Sequence, residues 1–283
     1  MLAKISCPFK LYQFTGMSLK AAFFTDREYE DAFVEFGGIR KRIVERLHQL
    51  VPKTNGLILD FLSGHGFLGI ETARLFSDAR IICTGLFNDI TTFRQVRLSK
   101  SLPQTIWNQL DYIECDVTTT PLKSDSCDIV TNFLGLEDLN MTRGKTGVEE
   151  ALDEIDRVTK SGALVQISYV DYGEAPEQIL AREIWDMIGL NAVFYDREEY
   201  IALLEKRHIF PIEEFECEIQ KKMTARQAKE ELLFACEQAP KIFSNFQVKS
   251  LDFQDLWTKF SNRLELHGMA FWSPIHVIIL SKI

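Results

Sequence analysis

The amino-acid sequence predicts an α/β fold: a doubly wound, mostly parallel sheet of seven strands with an antiparallel C-terminal strand, a helical N-terminal cap and a helical insertion. Three patterns in the 283 residues indicate this fold. Short apolar runs alternate with amphipathic helical patterns, a glycine-rich turn follows the first run, and a β-branched run ends the chain. Strands that are apolar along their whole length indicate a parallel sheet that helices cover on both faces.

The first elements follow in order along the chain. A helical period from about residue 28 to residue 51 places Phe36, Ile43 and Leu47 on one face, and Pro52 ends it. Five apolar runs then predict the parallel strands Leu57–Leu62, Arg80–Leu86, Leu110–Cys115, Cys127–Phe133 and Gly162–Tyr169. The helical patterns between these runs are Phe67–Phe76, Thr91–Lys100 and Val148–Lys160.

After the fifth strand the rhythm changes. Residues 174–208 predict helices, and Ile212–Ile219 alternates apolar and polar residues, as an antiparallel strand exposed on one face does. Residues 224–266 are predominantly helical, and Ile275–Leu280 is typical of a buried strand. We therefore predict an N-terminal cap and helix over residues 1–56 and a sheet domain over residues 57–283, with a helical lid insertion at about residues 223–272.

Composition limits the classes of partner. The formal net charge of −9 argues against nucleic acid, because phosphate backbones are held by clustered Lys and Arg. The one short basic run, Arg40-Lys41-Arg42 with Arg46 close by, is interpreted as the solvated face of a helix, with a patch for an anionic acceptor as the alternative. No apolar stretch approaches the roughly 20 residues of a membrane-spanning helix. We expect a cytoplasmic protein with no membrane partner.

The six cysteines indicate a reducing compartment rather than a metal site. No pair has Cys-x-x-Cys spacing, and no Cys/His pattern matches a zinc site. Cys83 and Cys115 lie inside apolar runs, where a thiol behaves as a small hydrophobe. We expect no bound metal, and a cysteine set that gathers a soft metalloid is the alternative.

The most informative stretch is the glycine-rich turn Asp60-Phe-Leu-Ser63-Gly64-His-Gly66-Phe-Leu-Gly69. Glycines let the chain turn sharply out of a buried strand and let the backbone approach a ligand that a Cβ would block. Amides at the following helix N-terminus can also meet a carboxylate. Asp60 precedes the turn, whereas the dinucleotide fingerprint has its acid at the tip of the next strand. A nucleotide-dependent dehydrogenase is therefore disfavoured, and a purely structural tight turn is the other alternative.

Asp60-Phe-Leu-Ser63-Gly64-His-Gly66 resembles the first motif of the class I S-adenosylmethionine-dependent methyltransferases, usually Asp/Glu-x-Gly-x-Gly-x-Gly. The resemblance covers roughly Leu57 to Tyr169. Three further stretches match in order: Tyr112-Ile-Glu-Cys-Asp116-Val117, Pro121-Leu122 with Ser126-Cys-Asp128-Ile-Val, and Ala151-Leu-Asp-Glu-Ile-Asp-Arg157-Val-Thr-Lys160-Ser-Gly162. Below the family level the chain is most similar to methyltransferases of small molecules, such as those of quinone biosynthesis. The family's Rossmann-like fold has antiparallel strands at the end of the chain, as predicted here.

The resemblance implies S-adenosylmethionine as the cofactor. Asp60 would orient the turn or accept a hydrogen bond from the methionine ammonium. Asp116 would accept one from the adenine amino group, with the Val117 amide beside it, and Asn132 and Phe133 would face the sulfonium region. The implied cofactor-binding residues are Asp60, Ser63, Gly64, Gly66, Phe87, Asn88, Asp116, Val117, Asn132 and Phe133.

Three positions depart from the family pattern. Leu62 replaces the first glycine, so we expect the turn to have a different shape. Phe87 stands at the tip of the second strand, where an acidic residue normally holds the ribose hydroxyls, which leaves Asn88 or Asp89 for that role or a ribose that is held less tightly. Ser161 replaces a proline and affects only its loop.

The sequence does not identify a catalytic residue or the acceptor. The segment from Asn132 lacks the Asn-Pro-Pro-Tyr type motif of many amino-group methyltransferases, which together with the acidic charge favours a small-molecule acceptor. Tyr12, Tyr172 and His267 are weak candidates for binding it, and for each of them a surface or packing role is favoured. The alternatives are a protein or RNA methyltransferase and a non-catalytic binding protein that kept the fold, which Phe87 brings into consideration.

Overall fold

A seven-stranded sheet forms the centre of the protein. The computed structural model describes residues 35–99, 102–170, 174–188, 195–219, 222–237, 239–242, 251–270 and 274–283. The strands are β1 (Leu57–Asp60), β2 (Arg80–Gly85), β3 (Leu110–Glu114), β4 (Cys127–Phe133), β5 (Thr159–Val170), β6 (Ile209–Cys217) and β7 (Ile275–Lys282). Their order is β3-β2-β1-β4-β5-β7-β6. Strands β1 to β5 are parallel, and β7 is antiparallel to both β5 and β6.

Helices cover both faces of the sheet. The described helices are α1 (Glu35–Leu50), α2 (Phe67–Leu75), α3 (Phe87–Ser99), α4 (Gln104–Gln109), α5 (Gly135–Val158), α6 (Pro176–Ile188), α7 (Arg197–Glu205), α8 (Ala225–Glu237), α9 (Ala239–Ile242) and α10 (Phe253–His267). Apolar residues of α1, α2, α6, α8 and α10 pack in one buried cluster on one face. Those of α5 and α7 pack in a second cluster on the other face. The predicted doubly wound fold class is thereby confirmed.

Several element boundaries differ from the prediction, notably those of α5, β5 and β6. Helix α5 begins 13 residues before the predicted Val148, with a break at Gly144, and β5 begins at Thr159 because that residue pairs with Cys127. Strand β6 begins at Ile209 rather than Ile212, since its pairing with β7 continues past Pro211 through a register shift. A proline within an apolar run argues against a regular strand, so the sequence alone placed the start too late.

The chain reverses its direction of winding between β1 and β4. From β1 it proceeds to β2 and β3 on one side, and then returns to β4 and β5 on the other. The carboxyl edge at such a switch point is the usual ligand crevice of a doubly wound sheet. The loops that leave β1 and β4 meet there, because the Asn132 side-chain amide donates a hydrogen bond to the Phe61 carbonyl at 2.8 Å.

In the sequence, the helices α8, α9 and α10 come between β6 and β7, two strands that pair with each other in the sheet. The two ends of this segment are held together by an antiparallel bridge, in which Met223 and Met269 exchange N–H···O bonds of 2.9 and 3.2 Å. Helix α10 contacts α8 and α6. That the segment acts as a lid, and that residues 1–56 and 57–283 are separate units, stay predictions. Among the helices of the described residues, none is long and apolar enough to cross a bilayer.

Candidate functional site

Asp60 ends β1 and lies buried beneath the glycine turn. Its carboxylate accepts a hydrogen bond from the Gly69 backbone N–H at 2.9 Å and one from the Thr131 hydroxyl at 3.4 Å. Burial raises the pKa of Asp60 to about 7, and these hydrogen bonds only partly oppose it. Of the two roles that the resemblance implied, the geometry is that of a residue that orients the turn, because both carboxylate oxygens are used inside the protein.

Three residues of the turn have left-handed backbone conformations: Leu62 (φ 55°), Gly64 (φ 50°) and Gly66 (φ 80°). A Cβ on Gly66 would lie 2.6 Å from the Phe93 ring, so a glycine is required there by packing as well as by conformation. At Gly64 a Cβ would meet nothing within 4 Å. The Gly64 N–H makes no hydrogen bond with a described residue. The backbone at Gly64 therefore borders open space. Leu62 adopts a left-handed conformation, which costs an L-residue about 1–2 kcal/mol.

Neighbouring strands hold this turn in place. The Ser63 N–H donates to the Thr84 carbonyl at 2.7 Å, and the Ser63 hydroxyl oxygen accepts from the Thr84 N–H at 2.9 Å. The Tyr112 hydroxyl of β3 donates to the Gly64 carbonyl at 2.7 Å. Ser63, one of the predicted site residues, is thus used in shaping the turn, and three strands fix the position of Gly64.

Asp116 follows β3 and forms an ion pair with Arg143 of α5. The Arg143 Nη2 lies 2.7 Å from Asp116 Oδ2, and Asp116 Oδ1 accepts from the Thr118 N–H and hydroxyl at 3.0 and 2.8 Å. Partial burial raises the pKa of Asp116, but the hydrogen bonds from Arg143 and Thr118 more than offset it, so the pKa is lowered. The side chain is 41% exposed. Its ionised carboxylate keeps accessible lone pairs that a ligand amino group can use.

The tip of β2 lies beside the residues that follow β3, since the Cys115 N–H donates to the Gly85 carbonyl at 3.1 Å. Val117, which follows Asp116, is buried. One Asp89 oxygen accepts from the Leu86 N–H at 2.8 Å, and burial raises the pKa of Asp89. Asp89 is therefore partly committed to capping α3.

Phe87 and Asn88 form the start of α3, and their side chains lie outside the described part of the chain. The suggestion that Asn88 or Asp89 holds the ribose hydroxyls at the tip of β2, or that the ribose is held less tightly, stays a prediction.

The end of β4 supplies one structural and one aromatic residue. Asn132 is buried, and besides its bond to Phe61 its side-chain oxygen accepts from the Leu136 N–H at 3.4 Å. The half-buried Phe133 ring meets the Phe36 ring edge-on, with 5.8 Å between centroids. Asn132 therefore joins the two loops of the switch point rather than facing open space, whereas Phe133 forms an apolar wall with α1.

The basic run on α1 is only partly a solvated face, since Lys41 and Arg42 are exposed as predicted, whereas the interpretation was wrong for Arg40. Arg40 is buried, with its guanidinium 5.4 Å from the Phe67 ring centroid and 5.8 Å from that of Phe133. Arg42 donates to the Glu216 carbonyl at 3.1 Å, and Arg46 pairs with Glu213. The apolar stems and cationic heads are used in packing α1 against the sheet, which leaves less charge for an anionic partner.

His65 lies in the turn between the two glycines and near Arg40. Burial and the positive charge of Arg40 lower the pKa of His65 to about 4. The imidazole is therefore neutral at physiological pH.

The three residues predicted to bind the methyl acceptor are not brought together by the described structure. Tyr12 and Tyr172 lie outside the described residues. His267 is the last residue of α10 and is half-exposed. Within the described ranges, no group of His, Cys, Asp and Glu has a geometry that could hold a metal ion.

Arg143 and Tyr112 are the site residues that sequence reasoning missed. Tyr112 was quoted only as part of a motif, although an aromatic hydroxyl near the end of a buried strand needs a partner and so points to the neighbouring turn. Arg143 gives no sequence signal, because it lies 27 residues from Asp116 on a helix whose break at Gly144 alters its periodicity.

Comparison with protein-family models matches residues 59–167 to the family described as "Methyltransferase domain". The chain has the α/β methyltransferase fold, and its residues 59–167 are similar to that family. The matched region runs from β1 into β5 and includes the glycine turn, Asp116 and the loop after β4.

Solved structures share the fold over most of the chain. A complex of the Haloferax volcanii Trm112 methyltransferase activator with a methyltransferase gives a TM-score of 0.55 at 14% identity, covering 92% of this chain and 95% of the other. The [4+2]-cyclase SpnF gives 0.54 at 15%, covering 86% and 81%. Geranyl diphosphate methyltransferase in complex with S-adenosylmethionine gives 0.50 at 12%, covering 86% and 85%. No curated protein sequence matches the chain. Because a cyclase shares the fold, the fold alone does not establish methyl transfer.

Proposed function

We propose that this protein transfers the methyl group of S-adenosylmethionine to a small-molecule acceptor. The observation that carries the proposal is the open space in front of Gly64 at the switch point between β1 and β4. A left-handed residue there, with an N–H that bonds to no described residue and room for an approaching atom, is suited to contact of the backbone with a ligand.

The residues around this space fit S-adenosylmethionine in their chemistry. Gly64 would offer its N–H to the polar end of the ligand, and Asp116 would accept from the adenine amino group with lone pairs that Arg143 and Thr118 leave accessible. Asp60, Ser63 and Asn132 would act on the cofactor only indirectly, by holding the turn. Geranyl diphosphate methyltransferase, which shares the fold at 12% identity, has been solved in complex with S-adenosylmethionine.

When bound, the cofactor supplies a methyl group on a positively charged sulfur. The protein's part in such a transfer is to orient the acceptor in line with the methyl group and to exclude water. Phe133 and Phe36 form an apolar wall at the end of β4 that serves the second purpose. The neutral His65 adds no competing positive charge to the turn.

A small-molecule acceptor is supported by the charge of the protein. Much of the basic run on α1 is used in internal contacts, and the chain as a whole carries −9. A protein or RNA substrate remains the alternative, and the Haloferax volcanii relative is named together with an activator protein. Labelled methyl transfer to a macromolecular fraction, rather than to small molecules, would favour that alternative.

Calorimetric titration tests the proposal. We expect S-adenosylmethionine and S-adenosylhomocysteine to bind and NAD not to bind. Asp116→Ala should weaken binding of S-adenosylhomocysteine by roughly 1–3 kcal/mol, because the adenine amino group loses its acceptor. The matched control is Asp111→Ala, which removes an exposed carboxylate paired with Arg80 at 2.7 Å at the opposite end of β3. Equal affinity of the two variants would remove the adenine assignment, and failure of the native protein to bind S-adenosylhomocysteine would remove the proposed function.

A further inference from the structure

The Tyr112 side chain links two strands that are not neighbours in the sheet. Tyr112 belongs to β3, and β2 lies between β3 and β1. The Tyr112 hydroxyl nevertheless donates a hydrogen bond of 2.7 Å to the carbonyl of Gly64, in the turn that follows β1. The side chain therefore crosses the tip of β2 to reach the turn at the centre of the candidate site.

Gly85, the last residue of β2, leaves room for this crossing. A Cβ on Gly85 would collide with the Tyr112 hydroxyl oxygen. The Tyr112 ring packs against the Phe93 ring, with 5.0 Å between centroids, and Phe93 in turn lies next to Gly66 of the turn. The hydroxyl is thus held in position by a neighbouring ring on one side and by the absence of a side chain on the other.

The Tyr112 hydroxyl keeps its proton at physiological pH. Burial, and after it the negative charge of Asp89, raises the pKa of Tyr112 above its ordinary value. A protonated phenol can donate, and the carbonyl of Gly64 can only accept. The direction of the hydrogen bond is therefore fixed, and the Gly64 carbonyl is held towards β3.

The bonded carbonyl belongs to the central peptide of a tight turn. The turn is closed by the Gly66 N–H, which donates to the Ser63 carbonyl at 2.9 Å. This closing bond does not involve the peptide between Gly64 and His65, so another contact has to fix the direction in which that peptide faces. The Tyr112 hydroxyl supplies this contact. Because the C=O and N–H of a trans peptide point in opposite directions, the His65 N–H points away from Tyr112.

We propose that Tyr112 is a positioning residue, which directs the His65 backbone N–H towards the carboxylate of bound S-adenosylmethionine. This inference rests on the proposed function and adds the residue that orients a donor in the turn. An N–H that is held in place before the ligand arrives binds an anion more tightly than one whose peptide must first be ordered. Loss of the hydroxyl frees the peptide to rotate, and the loss of affinity then concerns the ligand's carboxylate alone.

Calorimetric titration with two ligands tests the inference. The ligands are S-adenosylhomocysteine and its decarboxylated form, which keeps the amino group but lacks the carboxylate. In the native protein the carboxylate should strengthen binding by about tenfold or more. In Tyr112→Phe we expect S-adenosylhomocysteine to bind roughly three- to tenfold more weakly, and the decarboxylated ligand to bind as it does to the native protein.

Gly85→Ala perturbs the same hydrogen bond without removing the tyrosine, since the new Cβ displaces the hydroxyl. It should reproduce the selective loss, and it decides the question if Tyr112→Phe does not fold. Any effect of this Cβ on the adenosine part is common to both ligands and cancels in their comparison.

Tyr195→Phe is the matched control. The Tyr195 hydroxyl also donates to a backbone carbonyl, that of Lys145 at 3.3 Å, but this bond joins α5 to the segment before α7 rather than to the glycine turn. Tyr195→Phe should leave both affinities unchanged. Urea unfolding of the two tyrosine variants shows that each is folded under the conditions of the titration.

The outcomes separate this inference from the proposed function. An equal loss of affinity for the two ligands in Tyr112→Phe would show a general effect on the fold, and unchanged affinity for both would show that the hydroxyl positions nothing. Either result would overturn the inference, as would a native protein that binds the two ligands equally. Failure of the native protein to bind S-adenosylhomocysteine at all would instead contradict the proposed function.

Discussion

The Asp60 carboxylate and the Gly69 backbone N–H are joined by a hydrogen bond of 2.9 Å that ties the end of β1 to the first turns of α2. A Cβ on Gly69 would lie 3.2 Å from the same Asp60 oxygen and 2.5 Å from the Cys83 sulfur. The acid and the glycine therefore fit each other, and the sharp turn between them depends on both.

The buried Asp60 should make stability depend on pH. Its folded-state pKa of about 7 lies above the unfolded value of about 3.9, so its contribution is complete below about pH 4 and is lost as pH rises through 7. Asp60→Asn removes that loss, which is on the order of 2–4 kcal/mol. Urea unfolding between pH 5 and 8 should give a shallower fall for the variant than for the native protein. Asp111→Asn is the exposed control, and parallel curves for Asp60→Asn and the native protein would contradict the assignment.

Substitution of the two turn glycines should affect different properties: Gly66 the stability of the fold, and Gly64 the binding of the ligand. Gly66→Ala places a Cβ 2.6 Å from Phe93 and should cost about 2–3 kcal/mol of unfolding free energy. Gly64→Ala enters open space, so it should cost only about 1 kcal/mol for its left-handed conformation while weakening binding of S-adenosylhomocysteine.

Gly162→Ala is the matched control for Gly64→Ala, because Gly162 also has a positive φ (80°) and open space around it but lies at the start of β5, away from the site. It should lose similar stability and no affinity. If Gly64→Ala binds S-adenosylhomocysteine as tightly as Gly162→Ala does, the space in front of Gly64 is not a ligand site.

The Asp116–Arg143 pair should add little to stability. Both side chains reach solvent, Asp116 to 41%, and solvent screens their attraction. A double-mutant cycle with Asp116→Ala and Arg143→Ala, measured by chemical denaturation, should give a coupling below about 1 kcal/mol. A coupling above about 2 kcal/mol would show that the pair holds the fold together, and Asp116 would then be a poor candidate for binding a ligand.

The loop that carries Asp116 should depend on the buried Glu154. Glu154 accepts from the Thr120 N–H at 2.7 Å and from Arg157 at 2.6 Å. Glu154→Ala leaves the buried Thr120 N–H without a partner and should cost about 2–3 kcal/mol, whereas Glu154→Gln keeps an acceptor and should cost about 1 kcal/mol. Urea unfolding measures both. Glu150→Ala, an exposed position on the same helix, should change stability by less than about 0.5 kcal/mol.

Protonation of Glu154 should lower the free energy of unfolding in acid. Burial raises the pKa of Glu154, but the hydrogen bonds from Arg157 and Thr120 more than offset it, so the pKa is lowered below its unfolded value. Its contribution is therefore complete above about pH 4.3 and is lost as pH falls through the folded-state value. An acid limb of the stability curve that is identical in native protein and Glu154→Gln would contradict this.

The sheet could be predicted because its signals are local. Each parallel strand is a short apolar run, and β4 has the bounds that its pattern predicts, Cys127–Phe133. The glycine turn could also be predicted, since glycines are typical of the left-handed backbone that Gly64 and Gly66 adopt. Leu62 gave no such mark, because a leucine normally avoids the conformation that the surrounding hydrogen bonds impose on it here.

The side-chain partners in the site could not be predicted, because they depend on tertiary packing. Arg40 is buried in a run of basic residues only because two phenylalanine rings from other elements lie against it. Arg143, which lies beside the helix break at Gly144, donates to Asp116 in the loop after β3. Periodicity assigns a residue to a face of its own helix, but it does not say which residue of another helix comes opposite.

The bridge between Met223 and Met269 joins the two ends of the helical segment beside two adjacent strands. Lengthening, shortening or exchanging what lies beyond that bridge leaves the pairing of β6 with β7 in register. Such an arrangement allows the helical segment to change in length or sequence without rebuilding the sheet.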